Sequence, residues 1–269
     1  MISLAKRIGL DESLIKRLGQ LTEKENTRIT LCTEKCVRGD FSCLKKENDI
    51  IRLAVILHLA VKVKEKYSAA GISDEIYYDT MSDIRIWCEN NQNKGLKNYG
   101  WLKNHVCFEL FRIGRLQFQL FECKSKALRY DKLPFERGEK VVYIHIPQGE
   151  KLIKEKCIDS IKRAGGFFGK FFPDYEYSYY FTESWLLFEG NRDFMAPDSN
   201  ILAFASLYTH CYSMKIDVQA IDRIFGKRQL FKKNYPENTS LQKRAKQYML
   251  KGNRMGAGTG VIDKNFFLD

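Results

Sequence analysis

Apolar residues recur at three- and four-residue steps through roughly the first hundred positions and then begin to alternate, a change of period from helix to strand. Ile8, Leu10, Leu14, Ile15, Leu18 and Leu21 predict two small helices, with Asp11 placed to cap the second. Residues Glu23 to Lys46 are polar, rich in cysteine and without a clear period. A strong helical pattern resumes over Asn48–Ala70, ended by Gly71, and Ser73 with Asp74 opens another helix carrying Ile76, Tyr77, Thr80, Ile84 and Trp87 on its apolar side. Residues 98–111 predict one more helix, with Trp101, Val106, Phe108 and Leu110 for bulk. On this helix His105 and Glu109 stand four residues apart, a spacing that shares one face and suggests either a structural hydrogen bond or a proton-transfer couple.

From Phe111 the pattern is that of strands, with Ile113, Arg115, Gln117 and Gln119 on one side and Gly114, Leu116, Phe118 and Leu120 on the other. Ala127–Leu133 and Lys140–Ile146 follow after short polar turns. Val141–Ile146 is a continuous apolar run stopped by Pro147, Gln148 and Gly149, the mark of a strand buried on both faces. Leu152, Ile153, Cys157, Ile158, Ile161, Ala164 and Phe168 make Glu150–Phe171 an amphipathic helix. The aromatic Tyr177–Phe188 predicts a second strand, and Pro197-Asp198-Ser199 a turn and cap before a helix over Asn200–Tyr208. Beyond it, Cys211–Val218 reads as a strand, Ile221–Phe225 as a helical turn, Leu241–Lys251 as a helix and Val261–Leu268 as a last strand. The fold class expected is therefore α+β: a helical N-terminal domain over 1–110, then a mixed, mostly antiparallel sheet flanked by helices over 111–269.

Composition narrows the function classes without choosing among them. The 269 residues carry 45 Lys and Arg against 33 Asp and Glu, a net charge of +12 that attracts nucleic acid, phosphorylated cofactors or anionic surfaces. Ten of the basic residues fall between Arg223 and Arg254, against the single acid Glu237. Eight cysteines with no secretory leader before them point to reduced thiols in a cytoplasmic protein. Cys32, Cys36 and Cys43 lie close together, but neither a CxxC pair nor a nearby histidine completes a zinc set, so no metal is expected. The longest apolar stretch, Ile50–Val63, is interrupted by Arg52, His58 and Lys62 and is shorter than a membrane span, so no membrane partner is expected either. Gly256-Ala257-Gly258-Thr259-Gly260 follows a helix and precedes a strand, the reverse of a dinucleotide-binding turn, and reads as a connector.

The stretches DTMSDIRIW, WLKNHVCFELFRIGRLQF, VVYIHIPQGEKL, AGGFF, ESWLL and SNILAF, in this order and spacing from about Asp79 to Gly260, resemble bacterial acyltransferase-domain proteins with a helical N-terminal part and a GNAT-like C-terminal part. The resemblance implies an acyl-CoA-dependent N-acyltransferase using acetyl-CoA or another acyl-CoA. The Tyr143, Ile144, His145 and Ile146 backbone would pair with the pantetheine arm as an added strand does. The pyrophosphate would meet the turn at Gln148–Leu152, where Gly149 permits close backbone approach. The usual GNAT phosphate signature is absent, so this assignment rests on topology and basic charge. Asn200 stands where such enzymes hold pantetheine, and Tyr208 where they protonate the leaving thiolate, although their separation of eight is one residue longer than the family pattern.

Glu183, on the second strand, is the natural base for an attacking ammonium. His145 is central in its strand, where a hydrogen-bonded core histidine is the plain reading. Cys157, near the start of the long helix, is where a dipole lowers a thiol pKa and an acyl-cysteine route becomes conceivable, against a buried inert thiol. The expected activity is transfer of an acyl group to a small-molecule or peptide amine. The alternative is a non-catalytic GNAT-like module that binds a phosphorylated ligand or nucleic acid. Neither the amine nor the oligomeric state is written in the pattern.

Overall fold

The computed structural model describes residues 1–266, and the chain divides into two compact units. The first holds residues 1–113 with 117–119 and 146–148; the second holds the remainder. In the first, α1 (Ile2–Arg7), α2 (Glu12–Gly19), α3 (Glu23–Val37), α4 (Asp49–Ala69), α5 (Asp74–Met81), α6 (Asp83–Asn90) and α7 (Tyr99–Val106) precede strand β1 (Leu110–Ile113). Helix α4 is the centre of this unit. Its Ile50, Leu53, Ala54, Ile56, Leu57 and Ala60 are buried round most of its circumference, and α1, α2, α3, α5 and α7 pack against it.

Asp11 caps α2 as expected, accepting from the Ser13 amide. The polar stretch after it is not irregular, because Thr22 and Glu25 form a reciprocal capping box that starts the 15-residue α3. Only Ile29, Cys32, Thr33 and Cys36 of that helix are buried, too thin a stripe to show as a period.

The sheet has six strands in the order β1-β2-β3-β4-β6-β5, with β2 at Leu116–Glu122, β3 at Lys140–His145, β4 at Tyr179–Ser184, β5 at Thr209–Met214 and β6 at Ala257–Asp263. Helices α8 (Lys154–Phe171), α9 (Asn200–Ala205), α10 (Val218–Phe225) and α11 (Ser240–Leu250) complete the second unit. Strands β3 and β4 are parallel, whereas β6 runs antiparallel to both β4 and β5. The fold is the α+β class expected, a helical part followed by a mixed sheet with flanking helices.

Local expectations fail where a glycine or a tertiary contact overrides the pattern. The alternation through Ile113–Gln119 is broken at Gly114, whose φ of 63° turns the chain between β1 and β2. Residues 127–133 form no strand but a loop with one 3-10 turn, Tyr130–Lys132. Helix α8 starts at Lys154, four residues later than its amphipathic pattern begins, and α9 ends at Ala205, short of Tyr208. All of the GxGxG segment after Gly256 lies inside strand β6. A Cβ at Gly258 would stand 2.0 Å from the Leu187 carbonyl oxygen, so glycine there lets the segment after β4 lie directly on the strand. Of the last strand foreseen, Phe267 and Leu268 lie outside the described residues.

Candidate active site

The parallel pair β3/β4 is joined through Val142 with Tyr180 and Tyr143 with Phe181, and beyond that point side chains replace backbone pairing. The Thr182 hydroxyl donates to the Ile144 carbonyl at 3.0 Å. The Tyr143 hydroxyl donates to the Glu183 carbonyl and accepts from the Glu183 amide, each at 3.0 Å. Two parting strands would leave buried peptide groups unpaired, and these two hydroxyls meet that need. The result is a wedge in the middle of a sheet, held open by Tyr143 and Thr182.

The two faces of the wedge carry different chemistry. On one face Tyr143 packs against Phe181, stacks on His145 at 4.3 Å between ring centres, and joins the cluster around Phe135, Val141 and Val261. Side chains two residues apart on a strand share a face, so Glu183 belongs with Phe181 on this side. Glu183 is half-buried, and that burial raises its carboxyl above the ordinary glutamate value. On the opposite face are Ile144, Tyr180, Thr182 and Gly260. Here the Tyr208 hydroxyl lies 3.1 Å from Thr182 Oγ1. Thr182 spends its single proton on Ile144, so Tyr208 donates to Thr182. Burial pushes the Tyr208 phenol upward, and it stays protonated at neutral pH. Tyr208 also lines a small cleft, with Leu187, Phe188, Leu202, Ala205 and Gly260 as the apolar lining and Glu189, Arg192 and His210 as its polar members.

The loop after β3 is set by a residue that local pattern gives no reason to single out. Arg115 is buried, and its guanidinium donates to the carbonyls of Glu150 at 2.8 Å and Lys151 at 3.2 Å. Its own amide donates to Ser160 Oγ of α8 at 2.7 Å, which ties the loop to the helix. The Lys151 carbonyl also accepts from the Ile153 amide at 3.0 Å, just ahead of α8. Gly149 adopts a φ of 121°, a conformation that L side chains avoid, and a Cβ there meets nothing within 4 Å. Gln148 belongs to the first unit, where its side-chain oxygen accepts from Asn90 at 3.0 Å. Asn200 is exposed at the first position of α9, beside the cap Ser199.

One pairing suggested by spacing is replaced, and Cys157 takes the buried, inert form of its two readings. His105 is bonded to Asp83, not to Glu109: its Nε2 lies 3.1 Å from Asp83 Oδ2, which also accepts from Trp101 Nε1 at 2.8 Å. Helix α7 ends at Val106 and Phe108 takes a φ of 66°, so Glu109 leaves the helical face before the four-residue step can operate. Burial alone would raise the Asp83 carboxyl, but the His105 hydrogen bond and charge, with Trp101, pull it down to about 2. Cys157 is buried on the first turns of α8, and burial pushes its thiol up to about 11, so the lowered pKa that an acyl-cysteine route needs is not realised. Among the described residues no group of His, Cys, Asp and Glu has the arrangement to hold a metal ion, and no helix is long and apolar enough to cross a membrane.

The sequence matches the N-acyltransferase N-terminal domain over residues 1–108 and the GNAT-like C-terminal domain over residues 110–262. No curated protein matches it. Among solved structures it is similar to an acyltransferase in complex with decanoyl-CoA and teicoplanin, at 18% identity and a TM-score of 0.78, covering 97% of this chain and 86% of that one. An acyltransferase variant in complex with octanoyl-CoA matches at 19% identity and a TM-score of 0.79, with the same coverage. At such identities the likeness is one of fold.

Proposed function

We propose that this chain, which belongs to the N-acyltransferase family with a GNAT-like C-terminal domain, transfers an acyl group from acyl-CoA to the amine of a small molecule or peptide. The observation that carries this reading is the wedge between β3 and β4, with a titratable carboxylate on one face and a neutral phenol on the other. A thioester set in the wedge is reached by Tyr208 from the helix side and by an amine from the side of Glu183. The similar acyltransferases, in complex with decanoyl-CoA and octanoyl-CoA, support acyl-CoA as donor, and one of them in complex with teicoplanin supports a small-molecule acceptor.

In this reading the edge of β3 at Ile144 and His145 holds the pantetheine arm by strand addition, and the Gly149–Lys151 loop offers its amides to the pyrophosphate. Glu183 takes the proton of the attacking ammonium. A carboxyl with a raised pKa is the better matched to that task, because a base works best when its pKa approaches the working pH. Tyr208 returns a proton to the departing thiolate by redirecting the hydrogen it gives to Thr182. The apolar side of the Tyr208 cleft, Leu187, Phe188, Leu202 and Ala205, accommodates the acyl chain.

The test is a thermal-shift series with CoA, acetyl-CoA, octanoyl-CoA and decanoyl-CoA, followed by an amine screen that detects released CoA thiol. Ligand at 100 times its Kd adds about 2.7 kcal/mol of stability, an easily read shift. Stabilisation by acyl-CoA with thiol release supports the enzyme. A protein stabilised by RNA or DNA and indifferent to every CoA ester sinks this reading in favour of a binding module.

A further inference from the structure

Four of the large apolar side chains most exposed to solvent fall within sixteen residues of one another in the second unit. Leu230 is 89% exposed, Val218 65%, Phe231 57% and Ile216 54%. They come from two segments that the fold brings together. Arg228 forms an ion pair with Asp217, which sets the Leu230–Phe231 tip against the Ile216–Val218 segment at the start of α10. The loop is pinned at its base as well, where the Phe225 and Tyr235 rings pack tilted at 4.4 Å between centres and Lys232 donates to the Met249 carbonyl at the end of α11 at 2.8 Å. Leu230 and Phe231 therefore project from an anchored loop, at the cost of keeping two large apolar groups in water.

The polar surroundings of this patch are strongly of one sign. Between Lys215 and Lys233 there are six basic residues, Lys215, Arg223, Lys227, Arg228, Lys232 and Lys233, against Asp217 and Asp222, and Asp217 is already paired. An apolar tip whose flanking chain is rich in cations, with Lys233 over the Phe231 ring, is complementary to an interface that is negative at its surface and hydrocarbon beneath. A nucleic-acid backbone matches the cations but has no use for Leu230, and an apolar protein partner matches Leu230 but not the excess of positive charge. We propose that this face docks the protein on the surface of an anionic lipid bilayer, with Leu230 and Phe231 entering the headgroup region and Lys227 and Lys233 on lipid phosphates. The expectation of no membrane partner rested on span length, which bears on crossing a bilayer and not on lying against one.

Co-sedimentation with large unilamellar vesicles decides the matter, using phosphatidylcholine alone and phosphatidylcholine with about a third phosphatidylglycerol. The intact chain is expected to partition onto the anionic vesicles, to leave them as salt is raised, and to bind neutral vesicles at least tenfold more weakly. Leu230→Ser with Phe231→Ser should lower partitioning at least about tenfold. Lys227→Ala with Lys233→Ala should lower it only on anionic vesicles; neither makes the Arg228–Asp217 or Lys232–Met249 contacts that pin the loop, and Lys233 lies 6.0 Å over the Phe231 ring. Circular dichroism and melting of both variants check that they fold, and the measurement on the intact chain stands without them. Failure of the intact chain to bind anionic vesicles at low salt overturns the proposal. So does equal binding by the serine variant, or a light-scattering mass showing a dimer that the serine variant loses.

Discussion

The Asp83–Trp101–His105 cluster and the β3/β4 wedge both place polar groups inside the protein, and they solve the same problem in opposite ways. In the first, a carboxylate meets two ring donors. One carboxylate oxygen takes both ring N–H groups, His105 is wholly enclosed, and the pull on Asp83 is strong enough to reverse the upward push of burial. In the second, the hydroxyls of Tyr143 and Thr182 meet only the needs of the parted backbone, and Glu183 is left with a carboxyl pushed up by burial and no counter-charge among the causes of its shift. A paired buried charge holds a fold in place, whereas a half-buried unpaired one is poised for proton transfer. On the proposed function, the contrast gives the histidine–carboxylate pair to architecture and the lone carboxylate to chemistry, although the pair looks more like catalytic machinery.

The largest effect that tests this division is expected from Glu183→Gln, which keeps shape and removes the base. General-base catalysis contributes roughly 10²–10⁴-fold, so turnover with an accepted amine should fall by about that much while acyl-CoA affinity stays within a few-fold. Because burial raises the Glu183 pKa, the rising limb of kcat/KM in the parent should lie above the ordinary glutamate value and disappear in the variant. Turnover unchanged by the substitution would move the base to His145, which shares the face.

Next in size is Asp83→Ala, which leaves His105 buried without its partner. Loss of one member of a buried pair costs about 3–5 kcal/mol, so the denaturant midpoint should fall clearly. The pH dependence has a definite sign. With its folded pKa depressed to about 2, Asp83 contributes stability that is complete above the unfolded carboxylate value near 4 and is lost as pH falls towards 2. The parent should lose stability across that acid window, and the variant should have less to lose there. If the variant melts within about 1 kcal/mol of the parent, the cluster is not what holds this region.

Tyr143→Phe comes third. It strands the Glu183 amide and carbonyl at the wedge, at about 1–3 kcal/mol for unsatisfied buried groups, and calorimetric melting reads that loss directly. An unchanged melting temperature would mean that the strands close up and pair without the hydroxyl.

What the amino-acid pattern reveals of these regions follows from how far apart the interacting residues lie. Strand β3 and helix α4 are plain because long apolar runs and sustained periods are local properties, and both fall within one or two residues of the expected bounds. Helix α3 is hidden because its stability comes from a capping box and a thin stripe. Glu183 and Tyr208 stand out as residue types. What positions them does not, since Thr182 meets Ile144 across 38 residues and Arg115 meets Glu150 across 35, and no local spacing encodes such contacts. His105 misleads for the same reason. A tempting carboxylate lies four residues ahead, and the true one lies 22 behind.

The smallest effect, and the one that sharpens the donor side of the wedge, is expected from Gly149→Ala. A φ of 121° is strained for any L side chain, at roughly 1–3 kcal/mol, yet the added methyl meets nothing within 4 Å, so nothing in the core is displaced. If the Gly149–Lys151 loop presents its amides to a pyrophosphate, relaxing that strain re-aims the amides and acyl-CoA affinity falls several-fold. Titration separates the two effects, because a lowered melting temperature with an unchanged Kd for CoA reports strain alone and removes this loop from the phosphate site. A Kd that rises for CoA but not for a pantetheine thioester lacking the nucleotide places the loss at the pyrophosphate. Glu183→Gln should show neither change, so the two variants together distinguish failure to hold the donor from failure to move the proton.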